Sequence, residues 1–172
     1  MKTVISSDST HIAFDQTGQG PALILVVGAF NDRNTGAPLA QSLASHFTVM
    51  TYDRRGRGDS GDNPAYAVER EIEDLDALIR EAGGSTFVFG YSSGAVLALR
   101  AAAYGLAIRK LALYDPPPTG PSAGGLAVRL AEMIPAGRRG DAVELFQMEG
   151  MGIPRDIVVG MRNAPFRPAL EK

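Results

Sequence analysis

Cysteine is absent from this chain, and histidine occurs only twice, at His11 and His46. The first absence excludes disulfides, a thiolate nucleophile and any thiolate-bound metal. The second leaves few candidates for a base that works near neutral pH. Long apolar runs are missing as well: the longest, Ala22 to Phe30, is too short to span a bilayer. Nor is charge of one sign concentrated anywhere. A formal net charge of −2 over 172 residues argues against a nucleic-acid partner or an anionic membrane surface. The N-terminal stretch MKTVISSDST lacks the apolar segment of a secretory signal, so a cytoplasmic location is expected. No internal repeat or low-complexity tract is found.

What is present suits a globular domain. At 45% hydrophobic residues the chain has enough apolar material for a core, and its length predicts one domain with room for a small appendage. Thr3 to Ile5 and His11 to Asp15 read as short strands. Ala22 to Val27 is a continuous apolar run, as expected for a strand covered on both faces. A helix is predicted from about Ala37 to Ala44, then a strand at Phe47 to Tyr52. The clearest helix spans Ala67 to Ala82, where Val68, Ile72, Leu75 and Ile79 form one apolar stripe. Its acids, Glu69, Glu71, Glu73, Asp74 and Asp76, read as a solvated face rather than a metal site. Thr86 to Phe89 and Lys110 to Asp115 are further strands, the latter ended by Pro116 to Pro118. Strands alternating with helices predict an α/β fold, a mostly parallel sheet with helices on both faces. After Pro118 the texture changes. TGPSAGG reads as a linker, and helical pieces are predicted at Leu126 to Met133, Asp141 to Met148 and Pro154 to Arg162. Asp141 with Glu144 resembles a capping box, and Pro154 suits a first helical position. The expected division is 1–118 for a sheet core and 119–172 for a helical segment.

The strongest chemical signal is Gly90-Tyr91-Ser92-Ser93-Gly94. A serine that attacks a carbonyl must stand clear of its neighbours, and a strained strand-to-helix turn achieves this. Glycines two residues to either side remove side chains that would collide across the turn. The helix that follows aims free N–H groups at a developing oxyanion. Context supports the pattern: an apolar strand precedes it and an Ala/Leu-rich helix follows. The alternative, a Gly/Ser-rich turn without catalysis, fits the pentapeptide but not its flanks.

Over about Met1 to Pro118 the chain resembles the α/β-hydrolase family. LILVVGAF at Leu23 to Phe30 is similar to the strand ending in that family's His-Gly-x oxyanion loop, with Val27 in place of the histidine. YDRRGRGDS at Tyr52 to Ser60 is similar to its Asp-x-Arg-Gly-x-Gly-x-Ser loop, and IRKLALYDP at Ile108 to Pro116 to the strand after the nucleophile helix. The resemblance implies that Ser92 is the nucleophile and that the backbone N–H groups of Ala29 and Ser93 form the oxyanion hole. It implies no metal and no organic cofactor.

Other motifs carry less. Gly56-x-Gly58-x-x-Gly61 matches the dinucleotide fingerprint, but Asp62, Asn63 and Pro64 intervene before any helix, so a nucleotide-binding reading is remote. Arg57-Gly58-Asp59 matches an adhesion tripeptide that the hydrolase-like loop already explains. Arg54, Arg55 and Arg57 could hold a phosphate. Pairing with nearby acids such as Asp53 and Asp59 is the better expectation.

One component is missing. Serine is a weak nucleophile without a base, and in this family the order is Ser, then Asp or Glu, then His. Both histidines precede Ser92, at positions predicted far from it, and each has an ordinary structural role as its expected use. Asp115, ending the strand after the nucleophile helix, is a candidate acid. Its alternative role is to cap the turn into the prolines. The family's remaining strand–helix units need roughly 30 residues each and do not fit before Lys172. The strand Lys110 to Asp115 is therefore expected to be an open apolar edge, completed by a second polypeptide or by a second copy of the chain. The expected function is a serine hydrolase acting on an ester or similar carbonyl compound through an acyl-enzyme, its base lying outside this chain. A non-catalytic α/β-hydrolase-like binding protein or inactive fragment is the alternative. Residues after Gly120 are expected to form a helical cap. Met133, Leu145, Phe146, Met148, Met151 and Met161 would give it an adaptable apolar face for a substrate with an apolar part.

Overall fold

Six strands alternate with helices in the computed structural model, which describes residues 1–117 and 125–171. They are β1 (Lys2–Ile5), β2 (His11–Thr17), β3 (Ala22–Val26), β4 (Thr48–Tyr52), β5 (Thr86–Tyr91) and β6 (Ile108–Tyr114). In space they run β1-β2-β4-β3-β5-β6. The first two pairings are antiparallel, and β4, β3, β5 and β6 are parallel. The α/β class expected from the alternation is thus observed. From β3 the chain moves outward to β4 on one side, then returns to place β5 on the other. The crevice beyond the C-terminal ends of β3 and β5 is therefore a topological switch point, where ligands bind in open α/β sheets.

The apolar run of β3 is buried on both faces. Ile24 and Val26 pack with Met50, Tyr52, Val88 and the helices α2 (Val68–Glu81) and α3 (Ser93–Tyr104), and Leu23 and Leu25 pack with Val49 and Ala40 of α1 (Arg33–Leu43). Period-two alternation assigns these neighbours to opposite faces, and burying one such side chain contributes about 1.5–3 kcal/mol. β5 and β6 are less covered. Phe87 lies under the stems of Arg109 and Lys110, whose charges stand 5.7 and 5.9 Å from its ring centre. A register shift between Thr86 and Phe87 lets the two basic residues share that ring.

The first two helices each correct an expectation from the sequence. α1 starts at Arg33 rather than Ala37, because the Asp32 side chain caps it, accepting from the N–H groups of Asn34 and Thr35. It also tolerates Pro38 in its interior, where packing of Gly36 and Ala40 on β4 outweighs one lost backbone bond. The acids of α2 are not simply a solvated face. Glu71 and Asp74 are 3% and 1% exposed, held inside by arginines.

The chain divides into two compact units, Met1–Pro118 and Thr119–Lys172. Within the second are α4 (Leu126–Met133), α5 (Arg139–Leu145) running into a π-helical turn at Phe146–Gly150, α6 (Arg155–Gly160), a 3-10 turn at Met161–Asn163, and α7 (Arg167–Leu170). The expected linker falls outside the described residues except for Gly125. The capping box does not form: α5 starts two residues before Asp141, and Glu144 instead accepts from Arg162 at 2.8 and 2.9 Å. Pro154 is the cap of α6 rather than its first residue. Buried Arg167 donates to the Gly140 carbonyl at 2.7 Å and pairs with Glu144 and Glu171, tying α7 to α5. Among the described residues no helix is long and apolar enough to cross a membrane.

Candidate active site

Ser92 joins β5 to α3 with φ 53° and ψ −130°. Outside glycine such a conformation costs of order 1–3 kcal/mol and persists only where the surroundings impose it. Here they do. The Ser92 N–H donates to the Tyr114 carbonyl at the end of β6, at 3.0 Å, and the Ser92 carbonyl accepts from Ala95 at 2.9 Å. The turn closes because its two glycines leave no room for anything larger. A Cβ on Gly90 would stand 2.6 Å from the Gly94 carbonyl oxygen, and one on Gly94 would strike the carbonyl oxygens of Val26 and Val27. α3 therefore begins hard against the end of β3, as the motif and its flanks predict.

The loop leaving β3 lies against this turn. A Cβ on Gly28 would sit 3.0 Å from the Ser92 Cβ and 3.2 Å from the Tyr91 ring. Phe30 takes a positive φ of 59°, and the Asn31 amide donates to the Ala29 carbonyl at 2.8 Å. Among the described residues, neither the backbone N–H groups of Ala29 and Ser93 nor the Ser92 hydroxyl has a hydrogen-bond partner in the chain. The strained Ser92 turn, whose helix starts at Ser93, and the loop that carries Ala29 thus meet at the switch point. Such a set can attack a carbonyl carbon and receive its oxygen.

Behind the crevice, the loop after β4 supplies three arginines with three different partners. Arg54 donates to both carboxylate oxygens of Glu71, at 2.5 and 2.7 Å, and reaches the Ser93 hydroxyl at 3.1 Å and the Val27 carbonyl at 3.3 Å. It ties α2, the turn and the end of β3 into one buried knot. Arg55 forks onto Asp74 at 2.7 and 2.8 Å and reaches Asp8 at 2.8 Å. Arg57 donates to the carbonyls of Gly28 at 2.7 Å and Asn31 at 3.4 Å. The expected pairing of these arginines with Asp53 and Asp59 is not observed. Both acids pair with Arg33, which also binds Asp15. Loop closure is the reason: Asp53 turns inward to accept from the backbone of Arg33 and Asp59, leaving the arginines to point at α2 and at the loop after β3.

The electrostatics follow from these partners. Burial alone would raise Glu71, but Arg54, the Tyr66 hydroxyl at 2.7 Å and the charge of Arg57 hold its carboxyl below the ordinary range. Burial and that same bond push the Tyr66 hydroxyl up to about 12. Burial pulls the Arg57 guanidinium down, and the neighbouring charge of Arg54 adds to the effect. Burial raises the Tyr91 hydroxyl, opposed by the backbone of Gly28.

Asp115 follows β6 with φ 47° and is exposed. It lies on the strand next to Ser92, in the register that pairs Tyr91 with Tyr114. The histidines do not join the group. His46, exposed, precedes β4 at the opposite edge of the sheet. His11, also exposed, opens β2, about 14 Å from β5 at three strand spacings. Among the described residues no cluster of three or more His, Asp or Glu side chains is arranged to hold a metal ion. Sequence reasoning missed Asn31, Tyr66 and Glu71 as parts of the site's support. Three arginines within four residues after a buried strand were the available signal.

Comparison with known proteins agrees with the doubly covered parallel sheet and its strand-to-helix turn. A family model described as the alpha/beta hydrolase family matches residues 23–170. The chain belongs to that family. Over 99% of its length it matches the crystal structure of an α/β hydrolase from Sphaerobacter thermophilus, with 55% identity and a TM-score of 0.91, covering 68% of that chain. It is 37% identical over 108 residues to the N-formylmaleamate deformylase of Pseudomonas putida. It is 33% identical over 104 residues to the pimeloyl-[acyl-carrier protein] methyl ester esterase of Xanthomonas campestris. Each match covers 60% of this chain and 40% of the curated relative.

Proposed function

We propose that this chain is the nucleophile-bearing part of a serine hydrolase for esters or similar carbonyl compounds. The observation that carries the reading is Ser92 held at φ 53° between β5 and α3, with the uncommitted N–H groups of Ala29 and Ser93 beside it. The Ser92 oxygen bonds to the substrate carbonyl carbon as its proton passes to an imidazole base supplied from outside this chain. The carbonyl oxygen takes the negative charge and is met by the two N–H groups. Collapse breaks the bond to the leaving group, which receives the proton. Water then repeats the sequence and releases the acid. Asp115 is a candidate for the acid that orients the base. No metal or organic cofactor enters these steps.

The base lies outside residues 1–172, on strands that would complete the sheet along β6 and carry a histidine, whether these continue the same chain or belong to a second polypeptide; pairing of two copies along β6 is the alternative. The unit Thr119–Lys172 is read as a cap. Within it, Met133, Leu145 and Met148 share a cleft of about 370 Å³ with the charged residues Arg129, Glu132, Arg138, Asp141 and Glu144. The relatives' names, a deformylase and a methyl ester esterase, support hydrolysis at a carbonyl centre. A non-catalytic binding protein is the second reading, favoured by a Ser92 hydroxyl without a base among the described residues. Intact-mass measurement after treatment with a fluorophosphonate separates them. One adduct that disappears in Ser92→Ala supports the hydrolase, and a Ser92 that stays unmodified even when the rest of the fold is supplied overturns it.

A further inference from the structure

We infer that Arg57 is a positioning residue that sets the direction of the Ala29 N–H by gripping the other end of the same peptide unit. This rests on the hydrolase reading for its catalytic meaning, but not for its geometry. The Gly28 carbonyl and the Ala29 N–H belong to one planar trans peptide, so they point in opposite directions and cannot turn independently. The Arg57 Nη1 donates to that carbonyl at 2.7 Å. The same nitrogen reaches the Asn31 carbonyl at 3.4 Å, and the Asn31 amide holds the Ala29 carbonyl at 2.8 Å. Three carbonyls of a four-residue loop are thus tied back, two of them by Arg57. The loop needs such ties. Phe30 sits at φ 59°, where a residue with a side chain is strained, and Gly28 offers a flexible backbone at the position nearest Ser92. Without the grip, the Gly28–Ala29 peptide is free to rotate and carry its N–H away from the crevice.

Arg57 differs from its two neighbours in what it does not hold. Arg54 and Arg55 are each neutralised by a buried carboxylate, whereas among the described residues Arg57 makes no salt bridge. A half-buried guanidinium bound to carbonyls adds no negative charge to the site. Its positive charge is instead placed behind the peptide whose N–H would meet an oxyanion. Its depressed pKa is consistent with that isolation.

Two measurements on the full chain test this. The first is the NMR signals of the Gly28 carbonyl carbon and the Ala29 amide. In Arg57→Gln both are expected to move while signals of β1, β2 and α2 stay. Unmoved signals overturn the inference. The second is the rate of Ser92 modification by a fluorophosphonate. Removing an oxyanion donor outright costs roughly 10²–10³-fold, so misdirecting one is expected to slow modification by roughly 10- to 100-fold. Arg57→Lys, which keeps the charge but not the planar fork, should fall between the two, and it stands in if Arg57→Gln does not fold. Added guanidinium ion should restore part of the rate in Arg57→Ala. An unchanged rate in Arg57→Gln, with Ser92→Ala inert, overturns the positioning role and leaves the hydrolase reading intact. If Ser92 of the unaltered chain does not react without its base, the Gly28 and Ala29 signals alone decide for or against the grip.

Discussion

The two margins of the sheet are built on opposite plans. At one, β1 is four residues long, and beside it Arg55 is locked between Asp74 and Asp8. At the other, β6 is seven residues long and mostly exposed, with Leu113 and Tyr114 open. α3 continues that open surface with Leu99 and Tyr104, 49% and 70% exposed. Natural sheets blunt their edges with short strands and charge, and β1 does so. β6 keeps the length, the apolar side chains and the row of unpaired backbone groups that invite another strand. One margin is finished by ion pairs made within the chain. The other leaves apolar side chains exposed.

The largest effects are expected at the buried ion pairs, in the sheet's centre and at its finished margin. Glu71→Ala strands the Arg54 guanidinium in the core, and removing one partner of a buried pair costs about 3–5 kcal/mol. Chemical denaturation should show that loss. A loss below about 1 kcal/mol would mean that Arg54 finds water or another acceptor. Acid attacks the same ion pairs. Arg55, with help from Thr10, holds Asp8 below the ordinary carboxylate range against the cost of burial, and Arg54 does so for Glu71. The unfolded chain then binds more protons in the acid range. This contribution is complete above about pH 4–5 and is lost as the pH falls through the lower folded values. Melting temperature should drop steeply below pH 4, and the drop should be shallower in Glu71→Gln. The smallest effect on stability is expected at the open margin. Leu113→Lys should change unfolding by no more than about 0.5 kcal/mol yet abolish association along β6, as read by light scattering. An unaltered chain that already stands alone as an 18.2 kDa monomer would remove the contrast.

The turn at Ser92 was legible because its signal is local. Five residues and their two flanks determine strand, turn and helix, and the glycines have only one use there. The ion pairs were not legible, because Arg54 and Glu71 lie 17 residues apart and meet only through the rotation of α2 on the sheet. The apolar stripe of α2 marks the centre of its buried face. Glu71 and Asp74, each one residue before the stripe positions Ile72 and Leu75, lie on the shoulder of that face, where burial depends on a partner reaching across. The first turn of α1 was hidden for a different reason. Asn34, Thr35, Gly36 and Pro38 all disfavour helix, and only the cap at Asp32 and the packing on β4 reverse that preference.

The positive φ at Ser92 has a consequence over generations as well as within the molecule. Glycine adopts that conformation without the penalty serine bears, so Ser92→Gly is the replacement that thermal stability alone favours. A lineage selected only to stay folded would drift toward glycine at this position. Serine there is kept against that drift only while the hydroxyl is used.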